Sequence, residues 1–175
     1  MAFKSRTRID PGRIGDSKPL RVVLFQPDIA GNTAAAIRLC ACLDVPLAII
    51  EPCGFVWDER RLRRVGLDYL EQADLARFAS WSAFEAARHA AGERLVLLTT
   101  RAEHAYHLVR YRPDDVLLVG RESAGVPAMV HAAAALRVRV PMAPGRRSLN
   151  VVAALAIVLG EALRQIGGLT KGGPA

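Results

Sequence analysis

Three short motifs carry the residue types able to do chemistry in this chain. They are Asn32-Thr33-Ala34-Ala35-Ala36-Ile37-Arg38, Gly120-Arg121-Glu122-Ser123-Ala124-Gly125-Val126-Pro127 and Ser148-Leu149-Asn150. Each begins close behind a β-rich apolar run, so all three can sit on loops at the carboxyl edge of one parallel sheet. In open α/β sheets that edge is where ligands bind. No Ser-His-Asp or Cys-His arrangement has a local signature here.

Taken singly, each motif also has a plain structural reading. The two glycines of Gly120–Pro127 let the backbone turn sharply and approach a ligand closely, but they equally suit a simple strand-to-helix turn. The G-x-G-x-x-G spacing is missing, and Val126-Pro127 stands where a phosphate loop needs Lys-Ser/Thr. Pro127 suits the first turn of the next helix. Asn32 reads as an N-cap and Arg38 as a residue of the following helix, where a lone arginine among alanines is usually solvated. Ser148 and Asn150 straddle the start of the last helix; Ser148 stands at the natural N-cap position behind Pro144-Gly145. Glu103, His104 and His107 have a possible i, i+3 spacing for metal but no evident third ligand, so no metal is expected.

The elements that must position these residues alternate along the chain. Strand-like runs cover Leu20–Phe25, Leu47–Ile50, Leu95–Thr99, Val116–Val119 and Val138–Pro141, with a weaker one at Ala76–Ala79. Helical patterns cover Thr33–Leu43, Asp58–Val65, Trp81–Ala91, Pro127–Ala135 and Leu149–Ile166. Such alternation predicts an α/β fold, a Rossmann-like parallel sheet flanked by helices. The last helix is apolar around most of its circumference, so it is buried on more than one side or supplies a subunit interface.

Length and composition are consistent with one domain. The 175 residues allow a single full core, with 51% hydrophobic and 23% charged residues. Residues 1–19 are polar and rich in Gly and Pro and read as a flexible basic arm. Residues 20–168 form the domain, and residues 169–175 read as a flexible tail. No apolar run reaches the roughly 18 residues that span a bilayer. The basic N-terminus lacks an apolar region of signal-peptide type, so a cytoplasmic address is expected. Cys40, Cys42 and Cys53 form no metal-ligand spacing and read as reduced thiols.

The formal charge is +7. Only three of the 24 basic residues are lysine, namely Lys4, Lys18 and Lys171; the rest are arginine. Arginine's planar fork suits phosphate and stacks on bases, which fits RNA binding, although a GC-rich genome would produce the same bias. The arm carries five basic and two acidic residues, leaving +4 for the rest of the chain. Within the body, Arg60, Arg61, Arg63 and Arg64 cluster, and Arg60 and Arg64 lie one helical turn apart on a basic face suited to RNA phosphates.

Together the three motifs resemble the signature motifs of the SPOUT superfamily of RNA methyltransferases. The stretch from Gly54-Phe55-Val56-Trp57-Asp58-Glu59-Arg60 to Asp68-Tyr69 looks like that of the tRNA (cytidine/uridine-34) 2′-O-methyltransferases, and the likeness runs from about Leu20 to Gly168. The resemblance implies a C-terminal trefoil knot, a homodimer and S-adenosylmethionine as cofactor, held around Leu98, Gly120, Val140 and Ser148. It also implies methyl transfer to the ribose 2′-hydroxyl of the tRNA wobble nucleotide, with the anticodon loop as partner and neither metal nor membrane. Asn32, Arg38, Glu122 and Asn150 take the catalytic positions, with Arg60 and Arg64 on the RNA. Related enzymes have been assigned an arginine base at the Arg38 position; a charged guanidinium has no lone pair, so an electrostatic role is preferred. The alternatives are the same reaction on another RNA, such as ribosomal RNA, and a non-catalytic RNA-binding protein of the same fold. One departure from the family pattern is Gly160-Glu161, where tyrosine usually precedes the glutamate.

Overall fold

The computed structural model describes residues 20–58 and 69–168. Seven strands make one sheet: β1 (Arg21–Phe25), β2 (Leu47–Ile50), β3 (Leu75–Phe78), β4 (Arg94–Leu98), β5 (His104–Ala105), β6 (Asp115–Val119) and β7 (Leu136–Arg139). Every pairing is parallel, in the order β3-β2-β1-β6-β4-β7-β5. The helices are α1 (Ala30–Cys42), α2 (Tyr69–Gln72), α3 (Trp81–Ala90), α4 (Ala128–Ala133) and α5 (Val151–Ile166), with a 3-10 turn at Tyr106–Leu108.

The central strands are continuous apolar runs because both faces of a parallel sheet are covered. Val22, Leu24, Leu117 and Val138 join Ile37 and Cys40 of α1 and Leu155, Val158 and Leu159 of α5 in one core. Their neighbours in sequence, Val23, Val116 and Leu118, face the opposite way, onto Phe84 of α3 and Val130 of α4. α1 and α5 therefore form one outer layer and α3 and α4 the other. Between β4 and β6 a buried Asp115 accepts from Arg94 Nε at 2.6 Å and Nη2 at 2.7 Å, an ion pair that helps hold that register.

Several boundaries differ from the sequence expectation, each for a local reason. α1 starts at Ala30 rather than Thr33, so Asn32 lies inside the first turn instead of capping it. Ile29 occupies the N-cap without a side-chain cap, and Thr33 N–H donates to its carbonyl at 3.1 Å. Ser148 is not the cap of α5: Asn150 is, and Oδ1 accepts from Val152 N and Ala153 N at 2.9 and 3.3 Å. β7 ends at Arg139, two residues early, because Pro141 has no N–H to extend a ladder. β5 is only two residues long, too short to leave a periodic signal. The expected helix Asp58–Val65 falls mostly, and Arg60, Arg64, the basic arm and residues 169–175 fall wholly, outside the described residues.

Candidate active site

The strand order turns back on itself at β1 and β6, which neighbour each other although α1 and α5 enter from distant parts of the chain. A crevice of this kind outside the carboxyl ends of the strands is the usual ligand site of open α/β sheets. Here the three motifs meet. β1 delivers Asp28 and Asn32, β6 delivers Glu122, and Asn150 stands at the start of α5.

Asn150 is oriented by its own helix. Its Oδ1 is taken up by the N–H groups of Val152 and Ala153, so Nδ2 points away from the helix and donates to Asn32 Oδ1 at 3.1 Å. With its oxygen thus engaged, Asn32 donates from Nδ2 to Glu122 Oε1 at 3.0 Å. The donors run in one direction, from the α5 N-terminus through two amides to a carboxylate. This directional line also settles which way each amide is turned.

Glu122 is further tied to Asp28 by reciprocal bonds. Asp28 N–H donates to Glu122 Oε2 at 3.2 Å, and Glu122 N–H donates to Asp28 Oδ1 at 3.1 Å. Ser123 adds its N–H at 3.3 Å and its hydroxyl to Asp28 Oδ2. The adjoining Glu122 carboxyl and then the Ser123 and Glu122 donors hold the Asp28 carboxyl down at about 2, against the effect of burial. Burial and the neighbouring Asp28 push Glu122 the other way, above the ordinary carboxylate range. Two carboxyl groups in contact divide in this manner because the one that receives more hydrogen bonds and is less buried keeps the negative charge.

Backbone geometry explains the glycines. Arg121 N–H donates to Gly125 O at 3.0 Å and Gly125 N–H to Arg121 O at 2.8 Å, closing the loop on itself. Gly125 has φ +67°, and a Cβ on Gly120 would meet Gly125 C at 2.6 Å and Cα at 2.9 Å. A side chain at Gly120 has no room because both obstructing atoms are backbone. Gly54 is fixed in the same way, since its Cβ would meet Asp28 Cβ at 2.6 Å.

Beside this network lies a cavity of about 620 Å³. Leu98, Gly120, Val140 and Ser148 all line it, as do Asn32, Glu122 and Asn150. Seven of the eight catalytic and cofactor positions expected from the sequence therefore share one cavity. Arg38 is the exception. It is exposed on α1, its guanidinium 5.3 Å from the Tyr69 ring centroid, and it does not line the cavity. Six residues on from Asn32, it sits about 9 Å further along the helix axis.

Sequence reasoning passed over Asp28, Arg101 and Arg139, quoted Gly54 only as part of the family stretch, and placed His131 on the surface. Asp28 lies in the run Pro27-Asp28-Ile29-Ala30-Gly31 between β1 and Asn32, and an acidic residue just past a predicted strand end was the available signal. Arg101, His131 and Arg139 line the cavity but come from separate segments with no shared spacing. His104 and His107 fall in β5 and the 3-10 turn, and no group of three or more candidate metal ligands occurs among the described residues.

The SpoU rRNA Methylase family matches residues 19–160. A protein of Beijerinckia indica named tRNA (cytidine(34)-2'-O)-methyltransferase is 55% identical over 150 residues, covering 86% of this chain and 94% of that protein. A solved structure described as "Structural insights into the 2-OH methylation of C/U34 on tRNA" superposes with a TM-score of 0.81 at 37% identity. It covers 87% of this chain and 99% of its own. The SpoU methyltransferase AviRb from Streptomyces viridochromogenes, solved with the cofactor AdoMet, superposes with a TM-score of 0.75 at 28% identity, over 90% of this chain and 62% of its own.

Proposed function

Because the chain belongs to the SpoU rRNA Methylase family, we propose that it transfers a methyl group from S-adenosylmethionine to the ribose 2′-hydroxyl of the tRNA wobble nucleotide. The observation that carries this reading is the line of hydrogen bonds from Asn150 through Asn32 to Glu122 at the wall of the cavity. The names of the relatives support the substrate.

The residues present fit the cofactor. The cavity volume lies within the roughly 300–1,000 Å³ of small-molecule sites. Gly120 leaves bare backbone where a Cβ would collide, so a ligand can approach the strand end closely. Leu98, Gly120, Val140 and Ser148 would hold it. Bound there, S-adenosylmethionine supplies an electrophilic methyl carried on a sulfonium.

The protein's own work is alignment and charge. Asn32 and Asn150, fixed by their mutual bond, orient the ribose hydroxyl in line with the methyl. Glu122 holds Asn32 in that orientation and places a carboxyl at the site. Arginine cannot accept a proton while charged, so Arg38 binds the neighbouring phosphate and stabilises the developing alkoxide, with water taking the proton.

Arg38 lies outside the cavity of its own protomer, which supports a homodimer in which Arg38 of the partner subunit completes each site. Ile29 at the start of α1 and Leu149 and Ile157 at α5 are 48%, 43% and 39% exposed, apolar surface available to such a contact. The trefoil knot, the contacts of Arg60 and Arg64 with RNA, and a cytoplasmic location belong to the same proposal. Among the described residues no helix is long and apolar enough to cross a membrane.

Incubation of the protein with S-adenosylmethionine and, in separate reactions, unmodified tRNA and unmodified ribosomal RNA, followed by nuclease digestion and mass spectrometry, tests the reading. A single 2′-O-methyl on the wobble nucleotide is expected. Methylation of ribosomal RNA instead, with none at the wobble ribose, overturns the substrate.

A further inference from the structure

From Gly120 to Asn150 the chain holds five arginines and one carboxylate, Glu122, which is already engaged by Asn32 and Asp28. Three of the basic groups there, with Arg101 from the end of β4, form one wall. Arg137 and Arg139 are exposed and lie two apart on β7, so their side chains leave the same face. Val138 between them points into the α1–α5 core, which turns the two arginines toward α4. His131 of α4 meets them there: Arg137 Nε and Nη2 donate to its carbonyl at 3.0 and 2.8 Å.

β7 is an interior strand, paired on both sides by β4 and β5. Helices normally cover both faces of such a strand in a parallel sheet, so two exposed arginines mark a stretch left open. Six other described arginines, at 21, 77, 88, 94, 121 and 164, are each within ion-pair distance of a carboxylate. Among the described residues Arg101, Arg137 and Arg139 have no such partner, as is also true of Arg38, Arg110, Arg112, Arg146 and Arg147; these three are the ones gathered around His131 and the cavity. Arg137 is bonded to the His131 carbonyl and Arg101 shares the cavity lining with His131, and burial, then these two charges, hold the His131 imidazole below its ordinary range.

We infer that Arg101, Arg137 and Arg139 form a docking surface for the phosphodiester backbone of RNA beside the cofactor cavity. Arg101, Arg139 and His131 also line that cavity, so a strand gripped here runs past its mouth. Guanidinium forks without carboxylate partners suit phosphate, and each phosphate bound releases condensed counterions. The surface lies on the β4–β7 side of the sheet. Naming the RNA as tRNA rests on the methyltransferase reading; the surface itself does not.

The test is the salt dependence of binding between the full-length protein and an unmodified tRNA transcript, followed by fluorescence anisotropy. Arg137→Gln and Arg139→Gln should each weaken binding several-fold and lower the slope of log Kd against log salt by about 1. Arg137→Lys, which keeps the charge, should retain the slope. An unchanged slope in both glutamine variants overturns the surface. An equal loss in Arg137→Lys and Arg137→Gln also overturns it, assigning Arg137 to the fold through the His131 carbonyl. Weakened S-adenosylmethionine binding with an unchanged tRNA slope does the same, in favour of the cofactor cavity. If the wild-type protein methylates no tRNA yet binds RNA with an arginine-dependent slope, the surface stands and the substrate reading falls.

Discussion

Asn150 donates from Nδ2 to Oδ1 of Asn32 at 3.1 Å, joining residues 118 positions apart, while its own Oδ1 caps α5. One side chain thus serves both the helix and the site. The two duties separate in Asn150→Asp. A carboxylate still accepts from Val152 and Ala153 N–H and suits a helix N-terminus, but it cannot donate to Asn32. Thermal stability should stay within about 0.5 kcal/mol of wild type, while methylation falls by about 100-fold. Asn150→Ala should lose both, with about 1 kcal/mol of stability gone with the cap. Melting curves and single-turnover rates on the two variants check this; equal activity in Asn150→Asp would reduce Asn150 to a cap.

Glu122 and Asp28 carry opposite consequences for stability against pH. Asp28 is lowered from 3.8 to about 2, so its contribution is present above pH ~4 and is lost as pH falls toward 2. Glu122 is raised from 4.5, so ionising it costs stability as pH rises past 4.5 toward the folded value. Glu122→Gln should accordingly melt higher than wild type at pH 7, with the difference vanishing below pH ~4. Its methylation rate should nevertheless drop by about 100-fold. A variant less stable than wild type at neutral pH would refute the direction of the Glu122 shift.

Gly120→Ala and Arg38→Ala should fail for different reasons. The alanine Cβ at position 120 meets backbone of Gly125 at 2.6 Å, so the loop must open and S-adenosylmethionine binding is lost. Arg38 lies outside the cavity, so Arg38→Ala should bind S-adenosylmethionine normally and lose catalysis. If Arg38 serves the partner's cavity, equal mixtures of the two variants, refolded together, should recover about a quarter of wild-type activity. Titration calorimetry on each variant and rates on the mixture check both; no recovery in confirmed mixed dimers argues for a site within one subunit.

Gly160 sits inside α5, where the family pattern has tyrosine, and a Cβ there would meet nothing within 4 Å. Gly160→Ala removes backbone entropy at no steric cost and should stabilise by about 1 kcal/mol. At this chain length that is a rise in Tm of about 2–4 °C. Calorimetry checks it; a fall in Tm would mean that another chain fills the space beside Gly160.

Much of the architecture was legible from composition and periodicity. The runs at Leu20–Phe25, Leu47–Ile50 and Val116–Val119 read as strands because a parallel sheet covered on both faces demands unbroken apolar residues. The helices at Trp81 and Val151 showed their apolar spacing. The three motifs were recognisable only together, through their resemblance to the signature motifs of a known family, since each alone also suits a plain turn or a helix cap. β5 escaped notice because two residues carry no period. The start of α1 was misplaced because asparagine is a good cap only when no earlier residue enters the helix.

What only the tertiary structure decided are the relations between segments far apart in the chain. That Asn150, rather than Ser148, caps α5 depends on where the helix begins, and its choice of Asn32 as acceptor depends on α1 and α5 packing in one layer. Asp28 acquires its importance from Glu122, 94 residues away, through bonds that no local pattern encodes. That Arg137 and Arg139 stay exposed on a strand paired at both edges, beside His131 of α4, depends on how far α4 covers that face, which no local pattern encodes. Local propensity is a property of neighbours along the chain. Hydrogen-bond polarity, carboxyl pairing and unpartnered charge arise between residues that only folding makes neighbours.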